Sequence, residues 1–243
     1  MATINHLNVV EKTGKIWTWS TLIRDHTRFV SMLPGYLGAY IPVLGFAGNG
    51  GVLPSIKIEQ IMVTMNSYNT CPYCTGLHGQ LARMAGAAKI DETDSDSDSD
   101  DPALAFAKTF AIESGRGPDV DASYRKLCSS TADELGQEER ARSVQSLCWA
   151  LLWGKTTGNT INNARDKILN LQLSKITSLD LFVLAYYGPL FGVIGVLNMG
   201  LKHMPTIPSK AGNLIGAFLW LPQALNILPL GIVSIVVCGG KVV

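Results

Sequence analysis

Cys71, Cys74 and His78 stand within eight residues in the stretch NSYNTCPYCTGLHGQ, residues 66–80. Two thiols three positions apart, with an imidazole four positions further on, are the parts of a redox dithiol that carries its own proton acceptor. Pro72 is poorly tolerated inside a helix and well placed in a first turn. The stretch therefore predicts a helix that begins near Cys71, runs through QLARMAG and stops at Gly86. Spacings of three and four put the two thiols and the imidazole on one face of that helix. A helix N-terminus lowers a thiol pKa and favours the thiolate that attacks peroxides or disulfides, and His78 can take or relay the proton of Cys74. Upstream, IKIEQIMVTMN predicts a preceding apolar helix whose charged residues are Lys57 and Glu59, and a lone carboxylate there is a candidate proton acceptor aimed at the thiols. The same side chains also admit a zinc site, with Cys71, Cys74 and His78 as ligands and Glu59 as a fourth. Ligands crowded on one helical turn, however, seldom close a tetrahedron.

A Glu twelve positions before the first Cys, then C-x-x-C-x-x-x-H and a helix of small residues, resembles the alkylhydroperoxidase D-like branch of the carboxymuconolactone decarboxylase family. The likeness is close over residues 53–90 and looser to about residue 170. It implies an all-α, alkylhydroperoxidase D-like helical fold, assembled as a trimer or a multiple of one, with thiol peroxidase (peroxiredoxin-type, antioxidant) or disulfide-reductase chemistry and no metal or other cofactor. Carried over residue by residue, Cys74 attacks the peroxide, Cys71 resolves the sulfenic acid into a disulfide, and Glu59 and His78 form the proton relay. A hydroperoxide is then the substrate, and a dithiol, protein or lipoyl-type, the reductant. The family's best-studied peroxidases place a further His immediately before the second Cys; here that position is Tyr73. The other outcome for such a chain is a non-catalytic scaffold of the same fold, oligomeric or membrane-associated.

The elements around this segment follow from charge and periodicity. The chain has 243 residues, enough for a sizeable core, and 47% apolar with 16% charged residues lies on the apolar side of the globular range. The formal net charge of +1, with no basic stripe, excludes nucleic acid as an expected partner. The N-terminus shows neither a signal peptide nor a transit peptide, and the five cysteines are scattered apart from the 71/74 pair, so a reducing, intracellular setting is expected, cytoplasmic or membrane-associated. Residues 91–101, DETDSDSDSDD, hold seven of the 19 acidic side chains and predict a solvated loop. A calcium loop of the EF-hand kind fits poorly, because its Gly and terminal Glu are missing.

After that loop, Asp101 and Pro102 predict a capped helix through ALAFAKTFAIE, Thr131 and Glu134 a capping box, and Val144, Leu147, Cys148, Leu151 and Leu152 one buried stripe on a long helix from Gln137. Cys128 and Cys148 read as plain core residues. The organisation expected is a helical domain over 1–179 and an apolar helical hairpin over 180–243. In the latter, stretches 181–201 and 211–240 carry no charge and each has the length to cross a hydrocarbon layer of about 20 residues. Pro189, Pro222 and Pro229 argue instead for helices broken into pieces and packed on protein. Membrane contact through 181–240 would make lipid hydroperoxides an attractive substrate class.

Overall fold

The structure, a computed structural model, describes residues 16–40, 52–69, 101–130, 137–202, 205, 228–233 and 235–237. All regular elements among them are helical, as the sequence predicts: α1 (Trp19–Tyr40), α2 (Ser55–Asn69), α3 (Pro102–Ile112), α4 (Pro118–Ser130), α5 (Gln137–Leu169), a 3-10 turn (Leu173–Lys175), α6 (Ser178–Tyr186) and α7 (Gly188–Lys202). Residues 228–233 and 235–237 are also helical.

The long helix α5 is the spine. Its 33 residues span about 50 Å at 1.5 Å per residue, and α1, α2, α3, α4 and α6 all pack on it. The predicted stripe is real: Val144, Leu147 and Cys148 are buried, and Leu151 and Leu152 pack half-buried against the same core. This first half of α5 joins Ile58, Ile61 and Met65 of α2 and Phe106 and Phe110 of α3 in one apolar cluster. The second half contributes Trp153 to another cluster with Trp17, Leu22 and Phe29 from the N-terminal side and Leu179, Val183 and Tyr187 from the C-terminal side. The apolar residues after Asp180 therefore cover the far half of the spine as far as Tyr187.

Local chemistry sets the helix ends. Asp101 caps α3, its Oδ1 accepting from the Ala103 amide at 2.9 Å, and Pro102 fills a first-turn position whose amide needs no partner. At the other end of α3 the Gly115 amide donates to the Phe110 carbonyl at 2.8 Å, with Gly115 at φ +71°. A Cβ there would stand 2.7 Å from Phe110 Cζ, so both the backbone and the space require glycine. Thr18 and Thr21 cap α1 reciprocally, each hydroxyl accepting from the other's amide. The charge-free stretch 181–201 is not one rod: α6 and α7 meet at a 52° bend around Tyr187, with Pro189 in the first turn of α7. No single helix among the described residues is long and apolar enough to cross a membrane, though the bent pair α6–α7 has the length and composition. The Thr131/Glu134 capping box and the acidic run 91–100 lie outside the described residues.

Candidate functional site

Of the four expected catalytic residues, Glu59 is described; Cys71, Cys74 and His78 lie outside the described residues, as does Tyr73. Glu59 is carried by α2, which starts just after Pro54, whose carbonyl accepts from the Lys57 and Ile58 amides at 2.9 and 3.1 Å. The helix is wrapped by apolar neighbours, Ile58 and Ile61 being fully buried and Met62 nearly so, and Glu59 itself is only 1% exposed. An ionisable carboxyl in such surroundings is rare in a side chain without a task or a dedicated partner. Asn66 lies seven residues on, two helical turns along the same face, and is also buried. Its Nδ2 has no hydrogen-bond partner among the described residues. One face of α2 thus carries a carboxylate and an amide through an otherwise apolar layer, and the helix ends at Asn69, two residues before Cys71.

The two described cysteines have the opposite character. Cys148 is fully buried and its thiol is pushed far up by that burial. Cys128 is half-buried beside Tyr124, whose hydroxyl is raised to about 12 by burial first and then by Cys128. Cys148 sits inside the apolar cluster and Cys128 packs against it, in keeping with their expected core role. Among the described residues no group of three or more His, Cys, Asp or Glu side chains could hold a metal ion.

A second buried polar centre was not legible in the sequence. His26, on α1, is fully buried; Nδ1 lies 2.7 Å from the Leu22 carbonyl, and Nε2 is hydrogen-bonded to the hydroxyl of Tyr187, 161 residues away. A ring nitrogen facing a carbonyl must carry the proton, and burial keeps the ring neutral, so Nε2 accepts from the Tyr187 hydroxyl. Burial holds the imidazole down at about 4, against the opposite pull of the Leu22 carbonyl and of Asp25. The rings of Trp17 at 5.1 Å, Trp153 at 5.6 Å and Tyr187 at 5.9 Å enclose it. Sealed from solvent by these rings, the pair ties α1 to the α6–α7 junction. The available signal was periodic: Leu22, His26 and Phe29 fall on one face of α1, the face that is buried.

Exposed apolar side chains gather toward the C-terminal end. Leu181, Val193 and Val196 project from α6 and α7, and Ile232, Val233, Val236 and Val237 from the last described residues. Those last residues lie against α1: a Cβ on Gly231 would meet the side chain of Val30. No family model, curated protein or solved structure matches the chain.

Proposed function

We propose that the protein is a thiol-dependent peroxidase or disulfide oxidoreductase that reduces organic hydroperoxides through the Cys71–Cys74 dithiol. The observation that supports this most is the burial of Glu59 on the helix that leads into the dithiol. In this reading the Cys74 thiolate attacks the terminal oxygen of the hydroperoxide, the O–O bond breaks, and sulfur takes that oxygen with its hydrogen as sulfenic acid. The alkoxide leaves and gains a proton to become the alcohol. The Cys71 thiolate then displaces hydroxide from the sulfenic sulfur, which leaves as water, and the 71–74 disulfide forms. An external dithiol, protein or lipoyl-type, returns both thiols in exchange for its own disulfide. His78 and Glu59 carry the protons; the buried carboxylate suits that task because a low-dielectric site keeps a moved proton from escaping to water. The fold remains alkylhydroperoxidase D-like in this proposal, with an oligomer of three chains or a multiple.

The proposal is tested by following cumene hydroperoxide consumption with a dithiol reductant. The wild type is expected to turn over, Cys74→Ser to lose all peroxide-dependent oxidation, and Cys71→Ser to react once and stop. Equal rates in all three proteins would reject it.

The exposed apolar residues of α6, α7 and 228–237 support a second reading, a scaffold of the same fold that a membrane surface or another copy covers, since large apolar patches are seldom left to solvent. Flotation of the full chain with phospholipid vesicles, without any thiol oxidation by peroxide, would favour that reading.

A further inference from the structure

A cavity of about 260 Å³ opens between the starts of α2, α3 and α5 and the end of α4. Its wall is apolar, built by Leu53 before α2, Ala103 of α3, Leu127 of α4, and Ala141 and Val144 of α5. Among the described residues, three charged side chains also line it: Lys57, Asp101 and Arg140. Asp101 is committed twice, capping α3 and pairing with Lys57, and these contacts hold its carboxyl below the usual carboxylate range against the effect of burial. Arg140 is exposed and has no ion-pair partner among the described residues; the nearby Glu138 pairs with Arg142 instead. Among the described residues, two cations and one anion give the lining a net positive charge. The first turns of three helices of 11 residues or more border it, adding partial positive charge, whereas α4 borders it by its C-terminal end.

We propose that this cavity binds a small amphiphilic carboxylate, its apolar tail against Leu53, Leu127 and Val144 and its head group at Arg140 and Lys57. The volume sets the size, falling just below the range of about 300–1,000 Å³ that holds drug-sized ligands, so the occupant is a short-chain or single-ring acid. The charge sets the sign. A cation would meet Arg140, which no described acidic side chain balances, and a neutral chain of equal length would give that guanidinium no counter-ion. The site is distinct from the dithiol reading: Lys57 and Glu59 are two positions apart on α2 and so point to opposite sides of it.

The test is calorimetric titration of octanoate into the full chain, with octanol and octylamine as controls of equal length. One octanoate per chain is expected, bound at least about tenfold more tightly than either control, with Arg140→Gln lowering the affinity about tenfold and leaving octanol unchanged. Cys74→Ser is expected to bind octanoate like the wild type. Arg140 is exposed, so its replacement leaves the core intact. Equal affinities for the three probes, no response to Arg140→Gln, or no saturable binding would each overturn the proposal.

Discussion

Glu59 is the residue on which the chemical reading rests, and its burial makes the reading testable at a single atom. Glu59→Gln keeps the shape of the side chain and removes its proton-accepting capacity. The expected outcome is a fall of about 100-fold in the rate of thiol oxidation by cumene hydroperoxide, the usual scale for loss of a general base, with a changed pH profile. An unchanged profile would mean that Glu59 is a structural group. His26 belongs to the same scale and gives a prediction about stability. The unfolded chain binds a proton at this imidazole below about pH 6.5, and the folded chain only below about 4, so folding stability is complete above 6.5 and falls as pH drops through that window. At pH 5 the loss relative to pH 7 is about 2 kcal/mol, read as a lower urea midpoint; His26→Gln is expected to flatten that dependence. Asp101 and Asp180, both held below the usual carboxylate range, add to the loss only at more acid pH.

At the scale of elements, caps and buried stripes decide where helices start and what they cover. The start of α6 is the clearest case. Asp180 is buried and accepts from the Thr177 amide and hydroxyl, both at 2.8 Å, and from Lys167 Nζ at 2.7 Å, while Thr177 Oγ1 accepts from the Asp180 amide. Asp180→Ala removes the reciprocal half of the capping box, while the Thr177 cap itself remains, and leaves a largely buried ammonium without its partner, so a loss of about 2–3 kcal/mol is expected in urea unfolding. The exposed pair Glu138–Arg142 has similar geometry on paper, yet it belongs to a class worth only about 0.3–0.5 kcal/mol. Glu138→Gln is therefore expected to leave the midpoint nearly unchanged. Much of this level was legible in the sequence: Asp101–Pro102 announced α3, the spacing of Val144, Leu147 and Cys148 announced the buried face of α5, and Pro189 announced the break before α7. What a linear reading could not supply was pairing at long range. His26 and Tyr187 are 161 residues apart, and no local pattern connects them. The cavity beside Lys57 and Arg140 was equally hidden, because it exists only where the ends of four helices meet.

For the whole molecule, α5 joins two apolar clusters. The first contains the helix that bears Glu59; the second is closed by α6 and the Tyr187 junction. The exposed apolar side chains of α6, α7 and 228–237 mark the surface where a further copy or a lipid surface would sit in the proposed assembly. The central claim concerns the dithiol. It is tested most directly by mass spectrometry of the 71–74 peptide after one equivalent of cumene hydroperoxide, with Cys128 and Cys148 followed in the same digest. A 71–74 disulfide in the wild type, its absence in Cys74→Ser, and unmodified Cys128 and Cys148 in both are the predicted result. Thiols at 71 and 74 that survive a large excess of hydroperoxide would contradict it.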